Sequence, residues 1–181
     1  MRILVLMLAL ALSGCATYDL TVKGRTEGPD KAYSVELPQN WVRLTSATDK
    51  VIVTRDGFGL QRIMITRVAA KDAFPAIKKE ASARLLPSEL ADLEIAELKA
   101  HGQIMANLKV EQNEPLALGG ETGFRVQIRI LNADGVAFHQ VWCGALHKGY
   151  FYLVSFHAPE VYYFPKYLPD FERALGSFRL M

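Results

Sequence analysis

Cysteine is close to absent from this 181-residue chain: Cys15 and Cys143 are the two it has. No Cys-x-x-Cys pair occurs, so neither a zinc ribbon nor a dithiol redox centre is expected. Gly-x-Ser-x-Gly, His-Glu-x-x-His, the phosphate-binding P-loop and the dinucleotide fingerprint are missing as well. The four histidines, at 101, 139, 147 and 157, lack metal-ligand spacing. These absences leave no catalytic motif, no metal site and no cofactor to expect. Basic residues form no block or stripe, and the net charge is +2, which argues against nucleic acid as a partner. No apolar run reaches the roughly 20 residues a membrane-crossing helix needs.

One shorter run does stand out. Ile3 to Leu12 is apolar, follows the basic Arg2 and ends in small residues, the pattern of a secretory signal. The next step, Leu12-Ser13-Gly14-Cys15, resembles the lipobox of bacterial lipoproteins. The resemblance implies a diacylglyceryl thioether on the Cys15 sulfur, cleavage before Cys15, and acylation of the new amino group, palmitate being the familiar chain. Two or more acyl chains hold a protein stably to a bilayer, whereas one does so marginally. An Asp after the cysteine would favour the inner membrane in enterobacteria. Ala16 stands there instead, which implies the outer membrane, facing the periplasm. With Cys15 lipidated, Cys143 is an unpaired thiol. Its neighbours Val141-Trp142-Cys143-Gly144-Ala145 read as a buried strand, so it is expected to act as a small core hydrophobe.

Removal of residues 1–14 leaves 167, enough for one domain with a real core. Residues 15–30 lack apolar periodicity and carry two Gly and a Pro, and are expected to be a lipidated N-terminus and flexible tether. The domain is expected over 31–181. It opens with extended segments at Tyr33–Leu37 and Trp41–Leu44, then Val51–Arg55 and Leu60–Val68 about the hairpin signal Asp56-Gly57. One helix is expected from Pro75 to about Leu85. A second starts at Pro87, with Leu90, Leu93, Ile95 and Leu98 on its apolar side, and ends at His101-Gly102. Four strands follow, at 106–118, 122–131, 136–147 and 150–157, joined by short turns into an antiparallel meander. A helix over about 169–176 and a short extended end close the chain.

This order predicts an α+β domain, with a mostly antiparallel sheet flanked by helices on both faces. Tyr33-Ser34-Val35-Glu36-Leu37-Pro38-Gln39-Asn40-Trp41 resembles the first strand and Pro-x-x-Trp turn of the PsbP-like α/β/α sandwich. Gly149-Tyr150-Phe151-Tyr152-Leu153-Val154 and Phe171-Glu172-Arg173-Ala174-Leu175-Gly176-Ser177-Phe178 resemble that family's last strand and terminal helix. The resemblance covers most of 31–181. It implies an accessory role beside larger assemblies, with no binding residue carried over.

The meander also predicts a surface. A two-residue turn at Lys148-Gly149 sets Cys143 opposite Val154, Trp142 opposite Ser155 and Gln140 opposite His157. A four-residue turn over 132–135 would set Arg125 beside Trp142 and Gln127 beside Gln140. One sheet face would then carry Arg125, Gln127, Arg129, Gln140, Trp142, Ser155 and His157, a polar-aromatic patch. It could bind an anionic or aromatic ligand or a partner protein, or be a covered face whose polar groups satisfy one another. Every assignment reverses with a one-residue slip. At Gly119-Gly120 a two-residue loop sets Glu114 opposite Arg125. A three-residue bulged loop sets Glu111 opposite Arg129 and buries more apolar surface, which favours it. Tyr162-Tyr163-Phe164 with Tyr167 form a second candidate surface or ordinary core. Ser155 and His157 share a strand face at i, i+2, the one close pair a hydrolase could use, but no third group is evident to orient the imidazole. The expectation is a non-catalytic envelope lipoprotein that meets a protein partner while held to the membrane through Cys15.

Overall fold

The computed structural model describes residues 18–21, 24–100 and 108–181. The signal segment, Cys15 and the expected helix stop at His101-Gly102 lie outside them. The described residues form eleven strands and two α-helices. The strands are β1 (Tyr18–Leu20), β2 (Arg25–Glu27), β3 (Tyr33–Glu36), β4 (Val42–Leu44), β5 (Lys50–Thr54), β6 (Arg62–Ala69), β7 (Lys109–Leu118), β8 (Glu121–Leu131), β9 (Ala137–His147), β10 (Tyr150–Pro159) and β11 (Arg179–Leu180). The helices are α1 (Pro87–Ala100) and α2 (Tyr163–Ser177). Eight strands form one antiparallel sheet in the order β1-β4-β5-β6-β10-β9-β8-β7, and a small sheet runs β11-β3-β2.

The meander forms because its turns supply the backbone it needs. Lys148 and Gly149 both have positive φ, 47° and 79°, as a two-residue hairpin requires. The register is the expected one: Cys143↔Val154, Trp142↔Ser155, Gln140↔His157. Gly119 and Gly120 do the same at 62° and 101°, so β7–β8 closes with a two-residue loop and Glu114 sits opposite Arg125. The bulged loop that burial favoured is therefore wrong. The extra residue is Glu111, between Val110 and Gln112, and Lys109 rather than Glu111 faces Arg129.

The β8–β9 connection carries the larger correction. Leu131 pairs with Ala137, so the loop has five residues, one more than expected. Asn132 closes it: its Oδ1 accepts from the amides of Asp134 and Val136 at 3.0 and 2.8 Å, and its own amide donates to the Val136 carbonyl at 3.0 Å. Val136 is thereby held in the loop, and β9 shifts by one residue against β8. Arg125 faces Cys143, Gln127 faces Val141, and Val126 faces Trp142.

Two further expectations fail for stated reasons. No helix runs from Pro75 to Leu85. The Ala76 and Ile77 amides donate instead to the Glu97 carboxylate on α1, at 3.0 and 3.1 Å, and Lys78 takes a positive φ. Phe74 is fully buried, its ring 5.4 Å from that of Phe151. The described part of the expected tether is also built into the fold, as β1 on the edge of the large sheet and β2 in the small one. Between them Thr21 is stapled to the Pro-x-x-Trp turn. Its amide donates to the Trp41 carbonyl at 2.8 Å, its hydroxyl accepts from the Trp41 amide at 3.0 Å and donates to Pro38, and its carbonyl accepts from Asn40. Extended residues need no apolar period when the ladder satisfies their backbone, which is why composition did not reveal them. The closing helix starts earlier than expected: Pro165 falls in its first turn, where a missing amide costs nothing.

Two cores result. Val141, Cys143 and Ala145 of β9 pack with Val51, Val53, Ile63, Ile65, Tyr152, Val154 and Phe156, under Phe164, Tyr167, Phe171 and Leu175 of α2 and under Tyr33 and Trp41. Trp142 packs with Phe124, Val126, Ile128, Ile130 and Phe151 beneath Leu90, Ala91 and Ile95 of α1. The two sets alternate along β9 and so point opposite ways.

Candidate functional site

The one-residue shift at β8–β9 divides the expected patch. Arg125, Gln127 and Arg129 lie on the Cys143 side of the sheet, while Gln140, Trp142, Ser155 and His157 lie on the Trp142 side. The structure brings together neither Arg125 with Trp142 nor Gln127 with Gln140, and a ligand spanning Arg125, Trp142 and His157 has no common surface to bind.

Each half is engaged locally. Arg125, mostly shielded, makes a bidentate pair with Glu172 of α2 at 2.6 and 3.4 Å, with Glu114 at 3.8 Å and Cys143 Sγ at 3.9 Å. Gln127 donates to Glu111 at 3.1 Å. Arg129 pairs with Glu160 at 2.7 Å, and His139 Nε2 sits 3.6 Å from Glu111 and 3.9 Å from Glu160, its ring edge-on to Phe164 at 4.7 Å. These charges tie β7, β8 and β9 to α2 and its preceding turn. Burial pushes the Cys143 thiol up to about 12, the nearby Arg125 opposing it, so the thiol stays protonated and unreactive at neutral pH.

On the other side Trp142 is buried and its indole N–H donates to Gln140 Oε1 at 3.0 Å. The Ser155 hydroxyl donates to the Met64 carbonyl at 3.4 Å. His157 lies flat on Phe138, ring centres 4.7 Å apart. Burial, with the Arg62 charge beside it, lowers its pKa to about 3, so it is neutral at any ordinary pH. A serine bonded to a carbonyl and an imidazole stacked and desolvated do not form an activated pair. Of the Tyr162-Tyr163-Phe164-Tyr167 group, Phe164 and Tyr167 are core, and Tyr162 is exposed.

Two carboxylates, Glu94 and Glu97, join the site without having been expected from the sequence. A recess of about 290 Å³ between α1 and the sheet is lined by Val68, Pro75, Leu98, Phe151 and Leu153 together with Glu94 and Glu97. Glu97 holds the Ala76–Ile77 amides, and burial with the Glu97 charge raises Glu94 to about 7. The signal was present: Leu90, Glu94 and Leu98 recur at i, i+4, i+8, a carboxyl on the apolar stripe. Among the described residues no group of His, Cys, Asp or Glu is arranged to hold a metal.

This geometry is the mostly antiparallel α+β fold of the PsbP and Mog1 proteins. No family model and no curated protein matches the chain. Solved structures do. CyanoP, the cyanobacterial PsbP of Synechocystis sp. PCC 6803, superposes with a TM-score of 0.62 at 13% identity over 94% of this chain and 99% of its own. The Saccharomyces cerevisiae Ran-binding protein Mog1p gives 0.57 at 9% identity, over 88% and 96%. A structure from Bacteroides thetaiotaomicron VPI-5482 gives 0.53 at 10% identity over 88% of this chain. There the match spans only about half of the longer protein, 48%. At these identities the likeness establishes the fold.

Proposed function

We propose that this protein is a lipid-anchored accessory protein of the bacterial envelope that presents a folded domain to a protein partner and catalyses no reaction of its own. In this reading residues 1–14 are a cleaved signal, Cys15 carries the lipid, and the domain is a sandwich with helices on both faces of the large sheet, standing at the outer membrane on its periplasmic side. The anchor rests on Leu12-Ser13-Gly14-Cys15. The non-catalytic role rests on one observation above others. The polar side chains best placed for chemistry are bound to each other: Arg125 to Glu172, Arg129 to Glu160, Gln140 to Trp142, with His157 held neutral against Phe138. The fold supports it too, since one protein of this shape is described as Ran-binding.

The test is crosslinking of the lipidated protein in living cells, with mass spectrometry of what is captured and of the mature N-terminus. A diacylated or triacylated Cys15 and a reproducible envelope partner support the proposal. An unmodified Cys15, or an esterase or amidase activity abolished by His157→Ala, contradicts it.

A further inference from the structure

The exposed apolar residues are concentrated at one end of the large sheet. Arg62 pairs with His157, Pro159 with Phe138, and Leu131 with Ala137, so the 55–61 and 132–136 loops and the turn at 160–162 leave the sheet together. Leu20 pairs with Val42, which pairs with Thr54, so Leu20 is level with that end. The tips carry Leu60, Val136, Val161 and Tyr162, with Leu20 beside them. Tyr18 completes the set, its exposed ring stacked on Phe58 at 5.9 Å. Val161 is 90% exposed and Leu20 66%. Scattered exposed apolar residues need no explanation, but six brought to one end by three separate connections and the edge strand β1 do.

We infer that this end rests on the lipid bilayer. The inference builds on the proposed anchor. Cys15 precedes Tyr18 by three residues, which span at most about 11 Å. Thr21 is stapled to the Pro38–Trp41 turn, so the chain on the domain side of β1 cannot pay out to lengthen that link. β1 runs towards this end, with Tyr18 opposite Leu44 about 7 Å further from the tips than Leu20, and the link is longer than that step, so a lipid on Cys15 can fold back to hold the bilayer at the β1 edge. From β1 to β8 the tips run across six strand spacings, roughly 29 Å. That is a row of single side chains, suited to a flat surface rather than to a peptide in a groove. Tyr162 adds an interfacial pairing: Lys166 Nζ donates to its hydroxyl at 3.1 Å and sits 4.8 Å from its ring centre. An aromatic ring with a polar tip beside a lysine is the arrangement favoured where acyl chains meet head groups.

The experiment places a bimane label on single cysteines in the lipidated protein, with Cys143 left buried. Leu60→Cys and Val161→Cys report the proposed contact, and Leu86→Cys, exposed beside Glu121 at the opposite end, is the control. The protein is reconstituted in phosphatidylethanolamine–phosphatidylglycerol vesicles containing a nitroxide lipid. The labels at 60 and 161 are expected to lose more than half their fluorescence and the label at 86 almost none. Equal, weak quenching at all three in protein that sediments with the vesicles overturns the docking and leaves the anchor standing. A Cys15→Ser chain that sediments as well as the parent overturns the anchor. Labels at 60 and 161 that are already shielded in Cys15→Ser protein without lipid, in step with its concentration, assign the surface to a second copy and also overturn the inference.

Discussion

The two faces of the large sheet solve different problems. On the Cys143 side α2 closes an aromatic core, with Phe156 stacked between Phe164 and Phe171 at 5.5 Å each and Trp41 edge-on to Tyr167 at 5.4 Å. Its charges stay at the rim, paired. On the Trp142 side α1 covers a smaller apolar cluster interleaved with polar groups: Gln140, Ser155 and Glu97 are buried there, and His157 and Glu94 have their ionisation suppressed. Gly144 helps this side pack. A Cβ there would come within 2.5 Å of the Phe124 ring, and its absence lets Phe124 and Phe151 stack across the strand. The lesson is that one face specifies the fold by burial, and the other tolerates buried polarity at a cost that depends on pH.

Substitutions on the two faces separate them, beginning with the largest effect. Phe171→Ala should destabilise the domain by about 3–5 kcal/mol, and Leu90→Ala on α1 by about 2–3 kcal/mol, in urea unfolding. Equal losses would erase the distinction between the cores. The pH dependence comes next. Glu94 binds its proton more tightly folded than unfolded, so stability falls as pH rises from about 4.5 to 7. His157 binds its proton less tightly folded, so stability falls as pH drops from about 6.5 towards 3. The α1 side is therefore happiest between about 4.5 and 6.5. Glu94→Gln should gain on the order of 2 kcal/mol at pH 8 and little at pH 4.5. His157→Leu should flatten the loss on the acid side, read from melting temperature against pH. The smallest effect belongs to the rim of the other face. Arg125→Ala should cost about 1 kcal/mol at low salt and less in 1 M salt, because the Glu172 partner is partly solvated.

Much of this was legible in the chain. The Lys148-Gly149 turn, the register of β9 against β10, α1 from Pro87 and the burial of Cys143 follow from turn chemistry and alternation. What was not legible turned on contacts between distant residues. Asn132 decides whether its loop holds four residues or five, through three hydrogen bonds that composition does not foretell. Glu97 removes the amides that a helix at Pro75 would have used. Thr21 pins a stretch with no apolar pattern of its own. The polar patch failed through the first of these alone: seven residues were correctly identified as polar or aromatic strand positions and assigned to one face, when they occupy two.

That division is the claim on which the reading of function depends, and cross-strand nuclear Overhauser effects test it directly. Backbone contacts of Arg125 with Cys143 and of Val126 with Trp142 are expected. Contacts of Arg125 with Trp142 and of Gln127 with Gln140 instead would reunite the patch on one face, and a small-ligand site on that face would replace the accessory role proposed for this domain.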